Sequence, residues 1–331
     1  MTRIIELNRI KTLISDKDLS PLIEDGFVAY SHGRVVVPPV GELNFNEPPG
    51  DTHIKYGRIK GADYFVIKIA SGFYRNPELG LPSNSGLMLV FSSRTGILDT
   101  ILMDEGYLTD LRTALAGQIA ACYLAPSRIQ AIGVLGTGIQ ARMQVEYLAP
   151  VTPCKDLVVW GRTPEKTRLY KQDMEALGFR VRVAGDPAGV AAEANLIVTT
   201  TPAQTPLLFA RDIRPGTHIT AMGSDTPIKQ ELDEIILERA DVVVADSISQ
   251  CKERGEISKA LDAGCLKEED IVELGQIIDT CRGKNQGSHA NARASENQIT
   301  VADLTGVAVQ DIQIATAVCR AADNNKEGAT R

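Results

Sequence analysis

The sequence predicts an α/β protein: a doubly wound parallel sheet in the second half of the chain and an α+β region, built on a mostly antiparallel sheet, in the first. Three observations predict it. From about residue 128, short apolar runs alternate with helical patterns, as parallel strands joined by crossover helices do. The run Ala131–Leu135 leads into Gly136-Thr137-Gly138-Ile139-Gln140-Ala141 and then a helical pattern at Ile139, Met143, Tyr147 and Leu148. Before residue 104, strand-like segments follow one another at short spacing, joined by loops rich in Gly, Pro, Asn and Ser.

Ser20-Pro21 to Tyr30 reads as a helix ending near His32-Gly33. Val35–Val37 is cut off by Pro38-Pro39, which confines it to an edge or a strand end. Segments 53–58, 64–70, 86–91 and 96–103 are the following strands, and 111–124 is a helix with apolar residues at 111, 115 and 119, closed by Pro126. After the glycine turn, strands are expected at 157–160, 180–184, 196–200, 218–222 and 241–244, most with helical stretches between them. Residues 266–280 read as an amphipathic helix, 282–298 as a long mobile polar loop, 299–303 as a last strand and 307–321 as a final helix. The tail 324–331 reads as disordered. The expected domains are 1–125, joined by the returning 307–323, and 126–306.

A chain of 331 residues has room for two domains and a core that needs no staples. Its net charge of −7 argues against nonspecific nucleic-acid binding. No segment approaches the roughly 20 apolar residues that span a bilayer, and Met1-Thr2-Arg3-Ile4 opens no signal-peptide pattern. Six cysteines without a CxxC spacing and four scattered histidines offer no metal constellation and fit reduced thiols in a cytoplasm.

The glycine turn carries the first functional reading. A strand, a tight glycine turn and a helix start bring backbone N–H groups and the positive helix end to bear on a pyrophosphate. Gly136 permits the bend, Gly138 lets phosphates approach the backbone, and Ala141 keeps the helix near the sheet; Thr137, Ile139 and Gln140 complete the loop. This is a Rossmann-type unit, with a ligand-free βα turn as the alternative. Many NAD sites place an acid at the end of the second strand. Here that end carries Gly161-Arg162-Thr163, and an arginine suits a 2′-phosphate, which favours NADP(H) over NAD(H). Arg162 as a solvated surface residue is the rival reading. Thr163-Pro164-Glu165 also makes a good helix start on its own. Thr113 and Thr200 are added as cofactor contacts.

Three charged residues stand where charge is unfavourable. Lys68 interrupts the apolar strand 64–70 and points either to solvent or into a cleft, where it would bind a carboxylate or donate a proton. Arg112 falls in the first turn of a helix capped by Thr109, against the macrodipole, a conflict that an anionic ligand or a salt bridge to Asp110 or Glu105 removes. Asp225 lies just past the carboxyl end of a strand, the edge at which open α/β sheets bind ligands. It reads equally as a proton acceptor and as a turn or cap residue.

Together these residues resemble the ornithine cyclodeaminase/μ-crystallin family over about 20–320. The resemblance rests on Gly106–Ala114, Leu135–Gln140, Gly223–Leu232, Gly255-Glu256-Ile257 and Val301–Gly306. Residues 67–88, with Gly72-Phe73 and Asn76–Pro82, look most like the ectoine-utilisation branch. The resemblance implies a homodimer, a Rossmann domain, a split substrate and dimerisation domain made from both termini, and nicotinamide chemistry at the Cα–N bond of an amino or imino acid. It implies that Lys68 and Arg112 bind the substrate carboxylate and that Asp225 handles the amine or its proton. One departure bears on substrate identity: Pro39-Val40 is followed by Gly41 where family members often carry an arginine. Asp225 matches the cyclodeaminase and alanine-dehydrogenase-like members, whereas Gly161-Arg162-Thr163 is closer to the NADPH-using reductases.

These implications leave three activities open. A cyclodeaminase oxidises a small diamino acid at Cα, closes the ring on the iminium, releases ammonia and returns the hydride, with Lys68 and Asp225 as catalytic groups. An NADPH-dependent imine reductase, for example of a pyrroline carboxylate, or an amino-acid dehydrogenase consumes or forms reduced cofactor. A μ-crystallin-like binding protein does neither, and the presence of Lys68, Arg112 and Asp225 argues against it.

Overall fold

The computed structural model describes residues 2–73, 75–284 and 292–328. The chain forms two compact units, Met1–Arg112 with Val307–Arg331, and Thr113–Gly306.

The first unit opens with β1 (Arg3–Glu6), α1 (Leu7–Ile14) and α2 (Ser20–Ser31), then β2 (Val35–Val36), β3 (Gly41–Asn46), β4 (Pro49–Ile59), β5 (Tyr64–Phe73), β6 (Asn84–Ser92) and β7 (Leu98–Met103). The sheet order is β1-β7-β6-β5-β4-β2, with β3 also paired to β4. Among the described residues of this sheet, β1 pairs in parallel with β7 and the other pairs are antiparallel. The register sets Lys68 between Lys55 of β4 and Met88 of β6. One face of the sheet is dry: Val66, Met88, Val90 and Leu102 are buried on it, and so is Lys68. On the other face Ile67, Ile69, Leu87, Leu89 and Phe91 are only half-buried. Lys68 is thus on the more protected side, and the solvent-facing reading is corrected.

The helix α3 (Tyr107–Leu124) carries the chain from the first unit into the second. There follow β8 (Ile132–Leu135), α4 (Ile139–Tyr147), β9 (Asp156–Trp160), α5 (Pro164–Ala176), β10 (Arg180–Val183), α6 (Pro187–Ala191), β11 (Leu196–Thr199), β12 (Gln204–Leu208), β13 (His218–Ala221) and β14 (Gln230–Leu232). Then come α7 (Glu234–Arg239), β15 (Val242–Ala245), α8 (Ile248–Cys251), α9 (Gly255–Asp262), β16 (Ile271–Glu273), α10 (Leu274–Lys284) and β17 (Thr300–Asp303). Eight strands form a parallel sheet ordered β10-β9-β8-β11-β13-β17-β15-β16, and β12 pairs with β14 apart from it. Every residue of β8, β11, β13 and β17 is buried, as helices on both faces of a parallel sheet require. The order reverses between β8 and β11, which makes their carboxyl ends the switch point where such sheets bind ligands. The α/β fold and the doubly wound sheet are as the sequence predicts.

The last helix, α11 (Ala308–Gly328), returns to the first unit and packs on α1, α2, β4 and β5. Its approach to α2 is close: a methyl on Gly26 would sit 3.0 Å from the Gln313 side chain.

Several expectations need correcting. The boundary between units falls at 112/113, inside α3, rather than at 125/126. Over 266–280, Ile271-Val272 pairs with β15 and the helix starts only at Leu274, because a β-branched pair beside an open sheet edge gains a ladder that a helix would forgo. Within 282–298, α10 runs to Lys284, residues 285–291 lie outside the described residues, and the remainder is tied down: Ala292 N donates to Tyr123 O at 2.8 Å and Arg293 Nη1 to Leu124 O at 2.8 Å. The tail is helical to Gly328, with Arg3 holding Asp323, and 329–331 lie outside the described residues.

Candidate functional site

In the first unit the sheet and two helices gather a buried ionic cluster. Lys68 is 2% exposed and Arg112 6%. Between them lies Asp311, 1% exposed, in the first turn of α11. Its Oδ2 is 3.2 Å from Lys68 Nζ and its Oδ1 3.2 Å from Arg112 Nε. Arg112 Nη1 donates to Gln310 Oε1 at 2.6 Å. Burial pushes the Lys68 ammonium down to about 7; Asp311 resists the shift, while Arg112 and Lys55 add to it. A lysine so placed changes charge near neutrality.

Arg112 reaches this position because α3 begins earlier than its sequence suggests. Glu105 and Gly106 take φ of 53° and 89°, and the Asp104 carboxylate accepts the Leu108 N–H at 2.8 Å. Asp104 thus serves the first turn from outside the helix and Thr109 lies within it, which puts Arg112 in the second turn. Its ion pair is with Asp311 rather than Asp110 or Glu105. Asp311 and Gln310 are the residues that sequence reasoning missed. They lie about 200 positions from Arg112, and their one local trace is an amide and an acid side by side at the start of α11.

In the second unit the remaining candidates lie along one edge of the sheet. The register aligns Leu135 with Trp160 and with Thr199, and Thr199 with Ala221. The loops that follow these residues carry Gly136–Gln140, Gly161–Thr163, Thr200 and Asp225. Gly136 has φ +118°, and a Cβ there would lie 2.5 Å from Thr200 Oγ1. The bend is locked from both sides: Gly136 N donates to Trp160 O at 2.9 Å, and Thr200 donates to Leu135 O through N at 2.9 Å and Oγ1 at 3.1 Å. Gly138 caps α4 in extended backbone, and a Cβ added to it meets nothing within 4 Å. Open space thus lies over Gly138 at the start of α4, which fits a pyrophosphate. Arg142 braces the loop, donating to Thr137 O at 2.6 Å and pairing with Asp173. Gln144 links Thr113 O, at 3.0 Å, to Gln140 Oε1, at 3.3 Å. Ile139 is 56% exposed at the helix start.

Past β9, Arg162 is exposed, and Arg162, Arg168 and Lys171 line an open cavity of about 480 Å³ with Trp160, Pro164 and Val183. Thr163 occupies the cap position of α5 with Pro164 at its start, but its side chain makes no cap bond. Asp225 is paired with Lys229, Nζ to Oδ1 at 2.6 Å, and its side chain is 40% exposed.

Two further acids support the Asp225 loop. Glu231, on β14, is fully buried. It accepts Thr199 Oγ1 at 2.7 Å, Thr201 N at 2.6 Å and Gly223 N at 2.9 Å. Glu256, on α9, is 1% exposed and accepts the N–H groups of Glu231 at 2.8 Å and Leu232 at 3.0 Å. Burial, followed by the nearby Glu231 charge, pushes the Glu256 carboxyl up to about 8.

The chain is 38% identical to an uncharacterized cyclodeaminase of Sinorhizobium fredii over 326 residues, 98% of this chain and 96% of that one. Among solved structures it resembles an archaeal alanine dehydrogenase dimer with bound NAD, at 31% identity and a TM-score of 0.86 over 98% of this chain and 97% of that one. It also resembles the iminosuccinate reductase of Paracoccus denitrificans in complex with NAD+, at 26% identity and a TM-score of 0.83 over 98% and 97%. The model of the ornithine cyclodeaminase/mu-crystallin family matches residues 2–326, and this chain is a member of that family.

Proposed function

We propose that the protein is an NAD(P)-dependent enzyme acting at the Cα–N bond of a small α-amino or imino acid, and that its turnover is of the cyclodeaminase type. The observation that carries the reading is the pair of buried cations, Lys68 and Arg112, joined through one carboxylate. Two cations and one Asp311 charge leave a site that prefers an anion, and Arg112 presents a fork that suits a carboxylate. Lys68, poised near 7, both binds that carboxylate when charged and exchanges a proton when needed. The Gly136–Gln140 bend, with Thr113 and Thr200 beside it, holds the dinucleotide. When bound, the nicotinamide would take the hydride from Cα and give it back. Asp225, paired with Lys229 at 2.6 Å, takes the amine proton.

A second reading, an NADPH-consuming imine reductase, is favoured by the three cations of the cavity past β9. Arg162, Arg168 and Lys171 offer a 2′-phosphate three positive partners, which supports NADP(H) over NAD(H). Arg162→Ala should weaken NADPH binding about 10-fold and leave NADH binding within about 2-fold, as fluorescence titration would read. Equal losses for both cofactors would remove the preference. The half-buried apolar face of the first unit's sheet supports a homodimer, and residues 67–88 support the ectoine-utilisation branch.

The deciding experiment is a panel of L-ornithine, L-lysine, L-alanine, pyrroline-2-carboxylate and iminosuccinate, followed for ammonia and for reduced nicotinamide. Ammonia release without net change in cofactor is the expected result. Stoichiometric NADPH loss on an imine makes the enzyme a reductase, and no turnover or ligand-induced shift with any compound overturns the reading.

A further inference from the structure

The acid that handles the amine proton is borne by a loop whose own anchors are two buried carboxylates. We propose that Glu231 is a positioning residue: through three donors it sets the strand-end loops after β11 and β13 against each other, and so fixes where Asp225 presents its carboxylate, with Glu256 holding Glu231 in place. The inference rests on the reading of Asp225 as the catalytic acid.

Glu231 spends both carboxylate oxygens on the ends of two different strands: one on Thr201 N, past β11, the other on Thr199 Oγ1 and on Gly223 N, past β13. The two loops touch directly. A Cβ on Gly223 would lie 2.3 Å from Thr201 O and 2.5 Å from Glu231 Oε2, so Gly223 is held against the carboxylate with no room for a side chain. Glu231 is positioned in turn, because Glu256 binds its N–H and that of Leu232. Ser224 Oγ, next to Gly223, donates to Lys229 O at 2.8 Å. Gly223, Ser224 and Lys229 are therefore each fixed, and Asp225 is between them. Ordinary packing of β14 needs none of this, since an apolar side chain in the place of Glu231 would fill the same space without reaching three donors on two loops.

Test and expectation follow from that chain. With the compound of the panel that gives the highest kcat, Glu231→Gln should lower kcat about 10- to 100-fold and leave KM within about 3-fold, because one acceptor oxygen is replaced by a donor facing an N–H. Glu231→Asp, which keeps the charge but falls short, should recover part of that loss and serves if the glutamine variant does not fold. In an Asp225→Asn background the same substitutions should cost less than about 3-fold more, because they act through a group already removed. Amide exchange at Gly223 and Thr201 should quicken in Glu231→Asp and Glu231→Gln, independently of any substrate. If the Glu231 variants cost the same factor in both backgrounds, or leave kcat and exchange unchanged, the positioning role is wrong while Asp225 stands. If Asp225→Asn alone keeps full kcat, the underlying reading of Asp225 fails instead.

Discussion

Lys68 shows how a single strand position acquires a chemistry. Alternation along β5 gives it the face shared with Val66, where desolvation works against the ammonium and the Asp311 charge opposes that trend. For substrate binding, the charged form is the one that attracts a carboxylate. Affinity for a carboxylate substrate should therefore fall as pH rises through about 7, by up to about 10-fold per pH unit above it in the free enzyme, and Lys68→Arg should flatten that dependence between pH 6 and 9. The sign for stability is opposite. The folded group loses its proton near 7 whereas the unfolded one keeps it to 10.5, so this group makes stability rise with pH between those values. Asp311 itself gives a sharper prediction. Removing its charge leaves two buried cations facing each other, so Asp311→Asn should cost about 3–5 kcal/mol in urea unfolding. It should also move the pH midpoint of substrate affinity to lower pH. A variant with unchanged stability and an unchanged midpoint would show that the yoke does not matter.

At the scale of elements, legibility depended on whether a segment's own residues decide its structure. Parallel strands were readable because β8 and β15 are apolar on both faces, and the glycine turn because its residues alone make the bend. β3 was not. Its residues, Gly-Glu-Leu-Asn-Phe-Asn, are nearly all exposed and carry no core pattern, and only pairing along β4 makes them a strand. β16 was hidden inside a helical period by three residues that answer to β15. For the site, Lys68, Arg112 and Asp225 were visible as charges out of place, whereas Asp311, Glu231 and Glu256 act across long sequence separations that no local pattern encodes. The two loop glycines allow the turn's structural and functional duties to be told apart. Gly136→Ala puts an L residue at φ +118° with its Cβ against Thr200, and should cost roughly 1–3 kcal/mol of stability. Gly138→Ala has ordinary φ and free space around its Cβ, so thermal unfolding should shift by less than about 2 °C. Its methyl would intrude on the phosphates, and NADPH affinity should fall at least about 10-fold by fluorescence titration. Unaltered affinity in Gly138→Ala would place the pyrophosphate elsewhere.

For the molecule as a whole, the sheet of the first unit sets the last question, because its two faces differ. One is closed by buried side chains. Across the other, register lines up Ile54 with Ile69 and Leu87, Tyr56 with Ile67, Leu89 and Ile101, and Phe65 with Phe91, whose rings stack at 4.9 Å. Cross-strand rows of this kind make a continuous apolar surface, yet Tyr56 is 38% exposed and the others are only half-buried. A large contiguous exposed apolar patch is uncommon on a monomer, and a partner surface is the ordinary cover for one. A two-fold pairing is the simplest cover, since one self-complementary patch then buries both copies at once. Ile67→Glu places a charge at the centre of the middle row, where a dimer would have to desolvate it without a partner. Sedimentation equilibrium should show the wild-type chain at twice its monomer mass and Ile67→Glu shifted to the monomer, with a weakening of at least about 100-fold. A control charge at Arg94, Arg94→Glu in the β6–β7 turn, should leave the mass unchanged. If both variants sediment like the wild type, or if the wild type is itself a monomer, the apolar face has some other cover and the homodimer is wrong.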